Sequence, residues 1–263
     1  MNQRLAVVTG GTGAIGTEIC LHLARAGHRV AAIGHPAEAE RLPAWRAGLR
    51  QHGVEAGATL CDLGSHEAAA QALAALQAEH GPVDVLVNAA GTSALRSLDQ
   101  LTDSDWQQQW ELNVLGPMRL MRALAPQMAE RGWGRIVNVA SSSGKRPSAT
   151  NMAYSVTKAA QLSLSRSFAD LYAGRGVLVN AVTPGPLASP MWLQDGGLAD
   201  QQATAQGRTR DKVLEDVAAR LPRGAMGTPD EVAAVIVFMC SDAAANVAGA
   251  AWSVDGGAVP GIL

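Results

Sequence analysis

A chain of 263 residues that is 48% apolar and 17% charged is long enough to bury a large core as one soluble α/β domain, residues 1–263. Its net charge of −2 argues against a nucleic-acid footprint, and no apolar run reaches the ~18 residues of a membrane span. The 3 cysteines, Cys20, Cys61 and Cys240, are too scattered for a metal site, and the N-terminus enters an apolar strand at once, so a cytoplasmic protein with reduced thiols and no metal is expected.

Residues 5–8 form an apolar strand that ends in Thr9-Gly10-Gly11-Thr12-Gly13-Ala14-Ile15-Gly16. Ile15, Ile19, Leu23 and Ala26 then recur at helical spacing, and Gly27 closes the helix. In a strand–turn–helix context, glycines let a pyrophosphate approach the backbone, and the helix N-terminus offers it unpaired N–H groups. A plain tight turn is the competing reading of the glycines alone. The second strand, 29–33, ends in Gly34-His35-Pro36, and a helix is expected over 37–51. The third strand, 58–61, is followed by Asp62, and a helix covers 66–80. The fourth strand, 83–87, runs into Asn88-Ala89-Ala90-Gly91.

Residues 106–128 read as mostly helical and carry Asn113 in an apolar setting, where a buried amide needs partners. The fifth strand, 135–139, leads into Ala140-Ser141-Ser142-Ser143-Gly144. A helix from Tyr154 to about 173 should turn Leu162, Phe168 and Leu171 inward, and the sixth strand, 177–182, ends in Thr183-Pro184-Gly185-Pro186. Over 190–224 the pattern weakens, which predicts a mobile substrate lid with one short helix near 211–220. A helix over 229–240, capped by Thr228, and a last strand, 250–254, complete the chain.

Tyr154 and Lys158 lie four apart, hence on one helix face. A free phenol ionises near pH ~10, and a neighbouring ammonium lowers that value, which would make the pair a general acid/base. A surface Tyr beside a solvated Lys is the plainer reading. Composition favours the chemistry: the 21 basic residues are 18 Arg and 3 Lys, so a chain that otherwise writes Arg for positive charge uses Lys here, a compact charge whose pKa can be tuned.

Strands alternating with helices give a parallel sheet covered on both faces, whose ligands bind beyond the carboxyl ends of the strands. The glycine turn, Asp62, Asn88, Ser141 and Pro184 all fall at such ends. In their order and spacing these pieces, with Asn113, the Tyr154/Lys158 pair and the terminal Asp255-Gly256-Gly257, resemble the short-chain dehydrogenase/reductase (SDR) family over nearly the whole chain. The opening is similar to acetoacetyl-CoA reductases and the body to 3-oxoacyl-[acyl-carrier-protein] reductases.

The resemblance implies a Rossmann-type doubly wound sheet and an NAD(P)-dependent oxidoreductase that interconverts a ketone, 3-oxoacyl-type or another small carbonyl, and a secondary alcohol. It implies that Tyr154 exchanges the proton, Ser141 orients the carbonyl oxygen, Lys158 lowers the Tyr154 pKa and holds the nicotinamide ribose, and Asn113 holds a relay water. Cofactor contacts are implied for Gly10, Thr12, Gly13, Ile15, Gly16, His35, Asp62, Leu63, Asn88, Ala89, Gly91, Pro184, Gly185, Leu187 and Ser189, besides Tyr154 and Lys158, and substrate contacts for Ser143 and Trp192. Ala14, Ala89 and Ser189 depart from the family's usual Gly, Asn and Thr.

The second strand ends without an acid, which admits a 2′-phosphate and favours NADP(H), with NAD(H) possible. His35 would donate to that phosphate and Arg41 would reach it, while Gly13 and Glu38 weigh against. A homotetramer paired through 106–128 and the Tyr154 helix is expected. The rival functions are a sugar-nucleotide epimerase or dehydratase and a non-catalytic dinucleotide sensor.

Overall fold

The computed structural model describes residues 3–261. Seven strands form one parallel sheet: β1 (Leu5–Thr9), β2 (Arg29–Gly34), β3 (Ala56–Leu60), β4 (Val83–Asn88), β5 (Gly134–Val139), β6 (Val177–Pro184) and β7 (Ala251–Val254), in the order β3-β2-β1-β4-β5-β6-β7. The order reverses between β1 and β4, the place where open parallel sheets leave a crevice. Strands buried on both faces explain the continuous apolar runs in the sequence. Along β1, Leu5 and Val7 join one core cluster, and Ala6 and Val8 the other, as a two-residue repeat dictates.

The helices are α1 (Ala14–Arg25), α2 (Leu42–Gln51), α3 (His66–His80), α4 (Asp103–Trp110), α5 (Gly116–Glu130), α6 (Ser142–Lys145), α7 (Met152–Tyr172), α8 (Pro190–Leu193), α9 (Leu198–Gln206), α10 (Arg210–Ala219) and α11 (Pro229–Cys240). Leu73 and Leu76 of α3, Leu120 and Leu124 of α5 and Ala169 of α7 cover one face of the sheet. Ile19 and Leu23 of α1 and Val232, Ile236 and Met239 of α11 cover the other.

Several expectations need correction. β3 starts two residues early, across Gly57, a weak strand former used there for closeness, and it stops before Cys61. A Cβ at position 57 would meet the His80 ring at 2.3 Å. The helix expected from 37 begins as a 3₁₀ turn, Pro36–Arg41, with His35 and Glu38 as a reciprocal cap. The long helix starts at Asp103 behind the Thr102/Asp105 capping box and is broken at Asn113 by one π turn, Glu111–Leu115. On α7, Leu164 and Phe168 pack on the core, whereas Leu162 lies outside it and Leu171 is 68% exposed. The fully buried face of α7 is polar or small, with Gln161, Ser165 and Ala169. The weakly patterned 190–224 holds three helices rather than one, seated by Leu198, Ala199, Ala203 and Val213.

Gly176 turns the chain from α7 into β6 with φ +83°, and a Cβ there would lie 2.1 Å from the Gly132 carbonyl oxygen. Gly176→Ala should therefore lower stability by about 2 kcal/mol. A urea unfolding midpoint equal to that of the parent would contradict this reading of the turn.

Candidate active site

The first turn is tied to the segment after β4 by the Thr9 hydroxyl, which accepts the N–H groups of Ala89 and Ala90 at 3.1 and 3.2 Å. Gly13 is the N-cap of α1 and offers no side-chain cap, so the first N–H groups of the helix are left for a ligand. A Cβ on Gly16 would sit 2.0 Å from the Gly10 carbonyl oxygen, so that position admits only glycine at this separation. Ala14 is the first residue of α1, where a methyl causes no backbone strain.

These elements border a cleft of about 450 Å³. Among the expected residues, Gly10, Gly13, Ile15, Gly16, His35, Ala89, Gly91, Pro184, Gly185, Leu187 and Ser189 line it, together with Ser141, Ser143, Tyr154, Lys158 and Trp192. Thr12, Asp62, Leu63, Asn88 and the catalytic candidate Asn113 lie outside the lining. Thr12 donates its hydroxyl to Glu38 Oε2 at 2.6 Å, and Asp62 accepts the Gly64 N–H as a turn residue. Leu63 belongs to the core, and Asn88 is buried, donating to Asn138 Oδ1 at 2.7 Å. His35 is exposed with its Nδ1 accepting from Ala37, while Glu38, whose Oε2 also accepts the His35 N–H, lines the cleft beside it. Arg41 is exposed and outside the lining.

The catalytic candidates converge. Lys158 is buried, and its Nζ donates to the Val139 carbonyl at 2.8 Å and to Gln161 Oε1 at 3.1 Å, 5.5 Å from the centroid of the Tyr154 ring. Burial pushes the ammonium down from 10.5 to about 7. Burial also pushes the Tyr154 phenol up, and a hydrogen bond with Ser141 offsets part of that rise. The sequence reading has Lys158 lowering the phenol pKa; in the structure, desolvation is the larger effect and the offset comes from Ser141. The Ser141 side chain is fixed in turn, since its Oγ accepts the Ser143 N–H at 3.1 Å as the cap of α6.

Asn113 is fully buried in the π turn, and its Nδ2 donates to Gln109 Oε1 at 2.8 Å and Thr157 Oγ1 at 3.1 Å. Its Oδ1 has no partner among the described residues. A Cβ on Gly91 would stand 3.2 Å from that oxygen and 3.6 Å from Lys158 Nζ, so the glycine leaves one small gap that both groups face.

The sequence reading missed Gln161. It begins a buried polar string: the Gln161 carbonyl accepts from Ser165 Oγ at 2.7 Å, Ser165 Oγ accepts from Asn138 Nδ2 at 2.8 Å, and Asn138 leads to Asn88. The available signal was a Gln three residues after Lys158 on the same helix face.

The sequence profile described as short chain dehydrogenase matches residues 4–196. An acetoacetyl-CoA reductase from Allochromatium vinosum is 31% identical over 97% of this chain and 98% of its own. The crystal structure of L-sorbose reductase from Gluconobacter frateurii, complexed with NADPH and L-sorbose, superposes with a TM-score of 0.90 at 30% identity, covering 100% of this chain and 98% of that one. An NAD⁺-bound xylitol dehydrogenase superposes with a TM-score of 0.89 at 28% identity over 97% and 99%. The chain belongs to the short-chain dehydrogenase/reductase family. It is an NAD(P)-dependent oxidoreductase acting between CH–OH and C=O groups, and the epimerase reading is not favoured.

The buried lysine has a consequence for stability. Its folded pKa of about 7 lies below the ordinary 10.5, so between those values the folded chain binds fewer protons than the unfolded one. Stability then rises with pH across that window, by at most about 1.4 kcal/mol per pH unit from this group. Lys158→Met should flatten that rise in urea midpoints measured from pH 6.5 to 9.5 without cofactor. An unchanged slope would show that Lys158 is not desolvated.

Proposed function

We propose that this protein is an NADP(H)-favouring reductase of a 3-oxoacyl-type or other small ketone, with Tyr154 as its general acid/base. The observation that carries this reading is the convergence of Ser141, Tyr154 and Lys158 beside a glycine cradle in one cleft, with Asn113 Oδ1 buried behind Gly91. The cradle fits a dinucleotide: its close glycines and the uncapped start of α1 suit a pyrophosphate. Pro184, Gly185, Leu187 and Ser189 would hold the nicotinamide end, and Ala89 and Gly91 the nearer ribose path. The bound nicotinamide supplies the hydride at the carbonyl carbon in reduction and accepts it in oxidation.

Tyr154 gives its proton to the carbonyl oxygen in reduction and takes it from the alcohol in oxidation. A phenol held above its ordinary pKa stays protonated near neutrality, the form that reduction uses. Ser141 donates to the same oxygen and orients it. Lys158 holds the ribose hydroxyls and returns a proton toward Tyr154, and the gap at Gly91 suits one water bridging Asn113 Oδ1 to Lys158 Nζ. Tyr154→Phe should lower kcat at least ~100-fold while NADPH binding, followed by fluorescence, survives. Near-normal turnover would remove Tyr154 from the proton step.

NADP(H) is supported by the missing acid at the end of β2 and by exposed His35 at the cleft edge. The NADPH in the L-sorbose reductase structure supports it further, while the xylitol dehydrogenase with NAD⁺ keeps NAD(H) in view. The kcat/KM with NADPH should exceed that with NADH on one accepted ketone, and His35→Asp should erase or reverse the preference. A parent enzyme that prefers NADH would overturn the assignment.

A cytoplasmic homotetramer completes the proposal. No helix among the described residues is long and apolar enough to cross a membrane. Two apolar faces are exposed: Trp110, Val156 and Leu171 on α4 and α7, and stacked Phe238 and Trp252 on α11 and β7. Two separate exposed apolar faces would suit a tetramer with two kinds of two-fold interface. Light scattering at micromolar concentration should give four chains, and a monomer would refute the assembly.

A further inference from the structure

We infer that the substrate is a small, uncharged polyhydroxy ketone, recognised by the part of the cleft beyond Tyr154; this rests on the ketone-reductase reading. The first support is enclosure. Residues 92–96 are zipped to the start of α7 by the Arg96 N–H to Thr150 carbonyl bond at 3.0 Å and a bridge between Arg96 and Asn151. The lid is clasped to the same loop, since the Leu95 N–H donates to Gln201 Oε1 at 3.0 Å. That clasp places α9, with buried Leu198 and cleft-lining Gln202, as one side of the substrate space.

The second support is charge. The ionisable groups lining the cleft, besides Tyr154 itself, are His35 just after β2, Glu38 in the 3₁₀ turn that follows it, and Lys158, which is committed to Val139 and Gln161. The lining beyond Tyr154 is otherwise neutral. A carboxylate or phosphate placed there would lose its water without a counter-charge. Three arginines of the neighbouring loop and lid are engaged by acids: Arg96 pairs with Asp105, Arg208 with Asp216, and Arg210 with Asp195 and Asp200. They are poorly placed to receive the phosphates of a coenzyme A or carrier thioester.

The third support is the pairing of opposite walls. Asn151 donates its amide to Ser93 Oγ at 2.6 Å, which fixes the side chain and leaves its carbonyl oxygen to accept from a ligand. Ser143 and Gln202 add a hydroxyl and an amide to the lining, and neither side chain bonds to another protein group among the described residues. Trp192 and Met191 supply an apolar wall that suits the C–H edge of a short carbon chain. A few fixed polar groups on an apolar surface set orientation and specificity. A site built to bond hydroxyls leaves its polar groups unpaired with an analogue that lacks them, and so rejects it strongly.

The test uses the full chain with NADPH. The probes are neutral four- to six-carbon ketoses, hydroxyl-free ketones of the same chain length, and acetoacetyl-CoA. The best ketose should exceed both other classes in kcat/KM by at least ~100-fold. Asn151→Leu and Gln202→Leu, checked for an unchanged NADPH Kd, should each shrink the ketose-to-plain-ketone ratio at least ~10-fold, the cost of about 1.4 kcal/mol of lost hydrogen bonding. Preference for acetoacetyl-CoA or a hydroxyl-free ketone overturns the inference while leaving the reductase reading intact, as does a ratio unmoved in both variants. Reduction of none of the three classes contradicts the reductase reading itself, and the inference falls with it.

Discussion

An ammonium taken out of water beside a phenol is the constraint around which the active site is built. Desolvation acts on both partners toward neutrality, lowering Lys158 and raising Tyr154. The site answers with acceptors rather than with a carboxylate: the Val139 carbonyl at the end of β5 and Gln161 one turn along α7. A carboxylate there would fix the lysine charge. Two neutral oxygens leave its charge responsive to whatever else enters the cleft, as a proton-returning group needs.

The rest of the architecture follows from holding that pair in place. α7 must lie close on β5 and β6, so its buried face is small and polar, and the apolar residues Leu162 and Leu171 are turned away. The π turn at Glu111–Leu115 is the local cost of presenting Asn113, whose Oδ1 is left unpartnered toward the gap at Gly91. Close glycines then bring the β1 turn and the β4 segment together, so that the dinucleotide cradle and the Tyr–Lys pair share one crevice.

The β-strands were legible because doubly buried strands write themselves as apolar runs, and Tyr154/Lys158 because helical spacing fixes a shared face. Asn113, Ser141 and the glycine turn were legible only as members of an ordered set. What escaped had weaker local signals. Gly57 disguised the start of β3, since its closeness to His80 is a tertiary fact. The lid read as loop because its helices are short and seat few apolar side chains. Gln161 carried no motif, and its importance appears only when Lys158 is found reaching for it. The direction of the Tyr154 shift was also hidden, because sequence spacing reveals a neighbouring charge but not the amount of water removed.

Whether burial sets the protonation of the Tyr–Lys pair can be read from the phenol itself. The chain has only 2 tyrosines, Tyr154 and Tyr172, so ¹³C-tyrosine NMR resolves both in one titration. Without cofactor, Tyr154 should ionise above the ordinary value of 10.0, and Ser141→Ala should raise it further. A Tyr154 resonance that titrates below 10.0 in the cofactor-free protein would contradict this account, since a nearby charge rather than desolvation would then control the acid/base group.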